Sequence, residues 1–213
     1  MDQQFSGKVI DYYFSVLSDW AYFGGDRLER LARRYGAKIN HMPIRLAAVY
    51  AGTGGILLQK RSKQRQDYRV LELLRWRDLL GMPINISPKY YPTDDEPASC
   101  LIIAAKMKGL EVGLLANSIL RAIWAENRDI SDRETLTRIA AGIGFDGGEL
   151  VAAADADAVR GAFERYTSEA QERGVFGSPF YLCDGEIFWG QDRLDFLERV
   201  LARTTSAHAL LPR

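Results

Sequence analysis

The sequence has little of what thiol and metal chemistry require. Among 213 residues there are two cysteines and two histidines. Cys100 and Cys183 lie far apart and match no metal or redox spacing, so both are expected to pack as buried free thiols. His41 and His208 exclude a histidine-rich metal centre and leave little from which to build a Ser-His-Asp triad. Charge of one sign is also missing. Lys plus Arg and Asp plus Glu number 28 each, so the basic surplus of a nonspecific nucleic-acid binder is absent. No apolar run reaches the roughly 18 residues of a transmembrane helix. The opening MDQQFSGK lacks the basic start and apolar stretch of a secretory leader, and a cytoplasmic location is expected. Apolar residues at 47% and charged residues at 26% are the proportions of an ordinary globular chain able to bury a core.

What is present has a clear order. Val9 to Leu17 is rich in β-branched and aromatic residues and reads as a strand buried on both faces. A helix follows from Asp19 to Tyr35, with Leu28, Leu31, Ala32 and Tyr35 on one side and Gly36 as its stop. Lys38 to Ile44 reads as a second strand, so the chain opens β-α-β with a right-handed crossover. Ala51 to Gly55 reads as a loop; it lacks the Lys-Ser/Thr and the framing strand of the phosphate-binding fingerprints. The next helix is expected to place Tyr68, Leu71, Leu74 and Leu79, with Trp76, on its apolar side, and to stop at Gly81-Met-Pro83. Ile84 to Pro97 is an irregular connection, followed by helices over 98–108 and 113–126. Ser131-Asp-Arg-Glu134 and Asp146-Gly-Gly-Glu149 read as capping boxes. A long helix spans Asp155 to Arg173. Phe180–Cys183, Asp184-Gly185 and Glu186–Trp189 form a β-hairpin signal, and a last helix starts at Gly190-Gln-Asp-Arg193, with a frayed tail from Thr204. The fold class is therefore α/β: a four-stranded mixed sheet built from 8–45 and 156–203, with a large all-helical insertion over 46–155, in one domain.

That order, with Gly-Ser-Pro179 just before the hairpin, resembles the thioredoxin-like fold, in which a cis-proline faces the N-terminus of the first helix. The position of its Cys-x-x-Cys reads Ser18-Asp-Trp-Ala21, so no attacking thiolate is present for dithiol exchange. More closely, YYFSVLSDWAYF and the closing GVFGSPFYLCDGEIFWGQDRLDFLERVL (174–201) are similar to the 2-hydroxychromene-2-carboxylate isomerases and the related kappa-class glutathione transferases. DYRVLELLRW, GMPI, YYP and WAENRDIS fall between them in the family's order, so the resemblance spans about residues 8–203. It implies a homodimer that uses glutathione as cofactor. The implied reaction interconverts 2-hydroxychromene-2-carboxylate and trans-o-hydroxybenzylidenepyruvate in naphthalene-type aromatic breakdown.

The resemblance also assigns residues. Ser18 takes the place of the serine that holds the glutathione sulfur; read locally, it is equally a helix N-cap, and one serine can do both. Ser178 and Pro179 are the expected cis pair, whose backbone takes the cysteinyl main chain. Gly190, Gln191 and Asp192 match the segment for the γ-glutamyl end, with Asp192 pairing the ammonium or, alternatively, capping the last helix; Arg193 is its ion-pair partner. In the basic run 60–65, Arg65 falls near the glycyl carboxylate and Lys60 is a candidate for the substrate carboxylate, the alternative being a solvated helix face. Tyr90 or Tyr91 is expected in the aromatic pocket or the core, and Trp76 and Trp124 in the core. Two departures stand out: Asp19 replaces the family's proline and Ala21 its second serine. A carboxylate aimed at a bound thiolate would repel it, whereas one aimed at solvent would not. The loop asparagine is absent, with Gly54 or Gly55 in its place. A kappa-type transferase or peroxidase, and a non-catalytic binding module of the same fold, are the rival readings.

Overall fold

The computed structural model describes residues 6–203; the expected frayed tail from Thr204 lies outside them. Strand β1 (Val9–Phe14) pairs in parallel with β2 (Lys38–Pro43), and helix α1 (Asp19–Arg34) makes the crossover between them. Strand β3 (Phe180–Cys183) lies antiparallel on the other side of β1, with Tyr13 opposite Phe180. The hairpin partner β4 (Glu186–Trp189) completes the order β2-β1-β3-β4. The hairpin turn is Asp184-Gly185, with φ of 51° and 80°, the paired left-handed conformations that favour this dipeptide. This is the α/β, four-stranded mixed sheet that the sequence implies.

Both faces of β1 are covered, which explains its nearly continuous apolar run. Tyr12 and Phe14 point to the side closed by α1 and by helix α5 (Gly113–Trp124). Tyr13 points to the other side, where Met42, Phe180 and Ala170 of α8 (Asp157–Glu172) close the core. Between the two halves of the sheet come α2 (Leu46–Thr53), a 3₁₀ turn (Leu58–Lys60), α3 (Lys63–Leu80), α4 (Glu96–Met107), then α6 (Arg133–Gly142) and α7 (Gly147–Ala154). A second 3₁₀ turn (Gln191–Arg193) leads into α9 (Leu194–Leu201).

Five local expectations need correction. Strand β1 ends at Phe14 rather than Leu17, because the Ser15 amide turns away to the Ser178 hydroxyl (2.9 Å) and the Ser15 carbonyl accepts the Ser18 amide (3.0 Å). The glycine-rich piece is mostly helical: α2 runs through Thr53 and stops at Gly54, whose φ is 75°. The N-cap of α6 is Asp132, not Ser131; its carboxylate accepts the Thr135 amide at 2.8 Å, while the Ser131 hydroxyl donates to Asp129. Asp146 caps α7 as expected, but α8 begins at Asp157 rather than Asp155. On α3 the expected apolar side is outside: Tyr68, Leu71 and Leu79 are 58%, 51% and 73% exposed, whereas Leu73 is fully buried. The inward face instead follows Arg69, Leu73 and Trp76, spaced as i, i+4 and i+7.

Candidate active site

The junction of β1 and α1 places Ser18 at the helix N-cap, 5% exposed. Its oxygen accepts the Ala21 amide at 3.1 Å, and its hydroxyl donates to the Ser178 carbonyl at 3.2 Å. The capping reading is thus correct, and it orients the same hydroxyl toward the Ser178–Pro179 bond, which is cis. A second cis bond, Tyr91–Pro92, was not expected from the sequence. The Pro179 carbonyl accepts the Gly190 amide at 3.0 Å, and this bond brings the 190–192 segment beside Ser178. Gly190 has a φ of 104°, a conformation open to glycine. Gly24 of α1 allows the close approach of this segment: a Cβ there would lie 2.9 Å from the Gln191 Cβ.

Ser178 and the 190–192 segment form one wall of a cleft of about 420 Å³, within the size range of small-molecule sites, while Ser18 and Pro179 stand behind that wall and do not line it. Ser178, Gly190 and Asp192 line it on the sheet side. Gln191 lines it too, but its side-chain and backbone oxygens are held by Arg27. Asp192 caps no helix; its carboxylate pairs with Arg193 at 3.0 Å, the partnership expected for that arginine. Facing them are Trp20, Tyr50, Arg61, Tyr68 and Trp76. Trp76 is half-buried: it packs against the core as expected and also lines the cleft, with the Arg27 guanidinium 5.7 Å from its ring. Trp124 is fully buried, as expected.

Two further hollows adjoin the cleft, and Arg61 lines all three. Its Nε donates to the Ile56 carbonyl (2.8 Å) and its Nη2 to the Tyr50 hydroxyl (3.3 Å). Arg65 lines the two flanking hollows but not the main cleft. Lys60 is exposed and lines none of the three, whereas its neighbour Arg61 lines them all. Tyr90 stands outside them as well, under the Lys89 ammonium. Tyr91 faces inward, its ring 5.0 Å from that of Trp124. Gly54 and Gly55 border the Arg65 side, where the family's asparagine is absent.

Asp19 points neither into the cleft nor to solvent. It is 6% exposed and ion-paired with Arg69 of α3, whose guanidinium lies 5.7 Å from the Trp124 ring. Asp19 Oδ1 also accepts the Trp20 amide at 2.8 Å. Burial pushes the Asp19 carboxyl above its ordinary range, while Arg69, the Trp20 amide and Arg61 act against that rise. Burial likewise raises the phenols of Tyr50 and Tyr91, which stay neutral. Arg69 carries no sequence signal of its own; only its i, i+4 relation to Leu73 marks it as inward.

Comparisons with known proteins give the family of the chain. Residues 9–202 match the DSBA-like thioredoxin domain family. A 2-hydroxychromene-2-carboxylate isomerase of Sphingobium xenophagum is 30% identical over 196 residues, covering 91% of this chain and 98% of the relative. The chain belongs to the 2-hydroxychromene-2-carboxylate isomerase family. A solved structure of an isomerase of that name superposes with a TM-score of 0.79 at 27% identity, covering 90% of this chain and 93% of its own. The family's kappa-class kinship is also visible: glutathione S-transferase kappa 2 of Caenorhabditis elegans is 25% identical, covering 89% of this chain and 92% of the relative. Among the described residues no helix is long and apolar enough to cross a membrane, and no group of three or more metal-ligating side chains occurs.

Proposed function

We propose that this protein is a glutathione-dependent isomerase. It interconverts 2-hydroxychromene-2-carboxylate, or a related unsaturated aromatic keto acid, with the open trans-o-hydroxybenzylidenepyruvate form. One observation carries the reading: Ser18, the cis Ser178–Pro179 pair and Gly190–Asp192 converge beside an aromatic-walled cleft. The donor set suits glutathione, which offers a thiol, a peptide backbone, an ammonium and two carboxylates. Ser18 would hold the sulfur by turning its hydroxyl from the Ser178 carbonyl, the freed Ser178 backbone would take the cysteinyl main chain, Asp192 the ammonium, and Arg65 a carboxylate.

When bound, glutathione supplies a thiolate that adds reversibly to a conjugated carbon, so that a double bond becomes a rotatable single bond. The chain's own residues make that anion tolerable. A hydroxyl bond to a charged group contributes roughly 1.5–3 kcal/mol. The N-terminus of α1 adds roughly 0.3–1 kcal/mol. Together they would depress a thiol pKa by about one to three units. Trp20, Tyr50, Tyr68 and Trp76 offer rings for an aromatic substrate to pack on, and Arg61 would orient its carboxylate. We also assign the protein to the cytoplasm and to a homodimer; the exposed Leu71 and Leu79 of α3 support an apolar contact between copies.

Calorimetry with glutathione, run with a thiolate absorbance titration, tests the site. Wild type is expected to bind with a depressed thiol pKa, and Ser18→Ala to lose that depression. An unshifted pKa in wild type would remove the reading.

A further inference from the structure

The chain departs from its family's pattern where the departure should do most harm, with a carboxylate immediately after Ser18. We propose that Asp19 and Arg69 are a matched pair of positioning residues: Arg69 cancels the carboxylate, so the end of α1 beside Ser18 can still hold an anion, and Asp19 holds Arg69 at the hollow beside the cleft. The inference deepens the glutathione reading and rests on it for its purpose.

Three observations carry it. First, both partners are nearly inaccessible: Asp19 is 6% exposed and the Arg69 side chain 10%. Solvent therefore screens neither charge well, and loss of one partner leaves the other uncompensated. Second, side chains already occupy two of the first-turn amides, Trp20 by Asp19 and Ala21 by Ser18. Fewer free donors remain for a bound anion, so the net charge of the surroundings decides more. Third, the Arg69 guanidinium stands over the Trp124 ring at 5.7 Å and lines a hollow beside the cleft, so its charge faces the side on which an anion would bind. The other groups facing Asp19 do not replace Arg69. Arg61 contributes a second, more distant cation that is engaged with Ile56 and Tyr50, and the Tyr50 and Tyr91 phenols remain neutral.

The pair predicts effects of opposite sign. Losing Arg69 should make the site beside Ser18 more negative, and losing Asp19 should make it more positive. A merely structural pair would destabilise the fold in both cases without that reversal. The test needs no glutathione. Ser18→Cys places a thiol at the site, and its pKa is read from thiolate absorbance and from alkylation rate against pH. The native thiols do not interfere, because burial raises both Cys100 and Cys183 to about 11. In the Ser18→Cys background, Arg69→Met is expected to raise that pKa by about one unit or more, and Asp19→Asn to lower it. The Asp19→Asn/Arg69→Met combination should return to within about half a unit of Ser18→Cys alone. Shifts of the same sign in both single changes, or no shift in either, would overturn the proposal. If Arg69→Met fails to fold, the direction of the Asp19→Asn shift decides. Because the probe is the protein's own thiol, a failure of glutathione to bind wild type would strike the functional reading separately.

Discussion

The two walls of the cleft are built by different physics. The sheet wall, made of the Ser18 turn, Ser178–Pro179 and Gly190–Asp192, is tied together by short hydrogen bonds to the main chain: the Ser15 amide to the Ser178 hydroxyl, the Ser18 hydroxyl to the Ser178 carbonyl, and the Gly190 amide to the Pro179 carbonyl. The helical wall of α3 has one fully buried residue, Leu73, and crosses to the sheet wall through a charge contact, Arg69 to Asp19. A main-chain group takes part in every one of those bonds, and the Ser18 and Ser178 hydroxyls supply the other half of two of them. The α3 wall is held by side chains alone, the buried Leu73, the half-buried Trp76 and Leu80 and one ion pair, and so depends on particular residues.

If that contrast is right, α3 should be sensitive at one position. Leu73→Ala is expected to cost about 2–5 kcal/mol, whereas Leu71→Ala should stay within about 0.5 kcal/mol. Urea unfolding of both variants would show it, and equal losses would mean that α3 is anchored elsewhere.

A buried acid remote from both walls gives a reference for charge. Asp95 is raised to about 6, chiefly by burial, although Arg45 lies 3.2 Å away. A carboxyl raised on folding contributes stability that is fully present below its unfolded pKa and lost as pH rises through its folded one. Asp95→Asn should therefore stabilise the protein at pH 7 by up to about 3 kcal/mol, with the gain fading toward pH 4. Arg45 keeps its bond to Glu96 at 2.6 Å in that variant. A gain that is the same at both pH values would contradict the assignment.

The sheet wall can be strained directly. Gly24→Ala drives a methyl to 2.9 Å from the Gln191 Cβ, and overpacking of this kind costs about 1–3 kcal/mol. Glutathione binding should weaken with stability in this variant; unchanged thermal unfolding would show that the 190–192 segment yields freely. The smallest effect separates neighbours in the basic run. Arg61→Met should raise the KM of the aromatic acid about tenfold, roughly 1.4 kcal/mol, and Lys60→Met should leave it within about twofold. Equal effects would return the carboxylate to Lys60.

The same contrast explains what the sequence could reveal. The sheet wall is written in local signals: a serine where a strand meets a helix, a proline before a strand, and an Asp-Gly turn that the structure shows with two positive φ values. These fixed the fold class and brought Ser18, Ser178 and the 190–192 segment into view. On α3, leucines occupy 71, 73, 74, 79 and 80, so apolar periodicity alone did not select a face. The face that turned inward carries Arg69 and Trp76, whose partners lie on distant segments. Lys60 versus Arg61 and Tyr90 versus Tyr91 fall at a 3₁₀ turn and an irregular connection, where no period tells which neighbour points in. The Asp19 question could not be answered locally either, because its answer sits 50 residues away in the chain, at Arg69.

The most direct test of the central claim is an isomerisation assay with limiting glutathione. The purified protein is given 2-hydroxychromene-2-carboxylate in large excess over the thiol, and product and free thiol are followed together. The account predicts many turnovers per glutathione with total thiol unchanged, and their loss in Ser18→Ala. Thiol consumed in step with substrate would mark a transferase, and no glutathione-dependent turnover at all would contradict the isomerase reading.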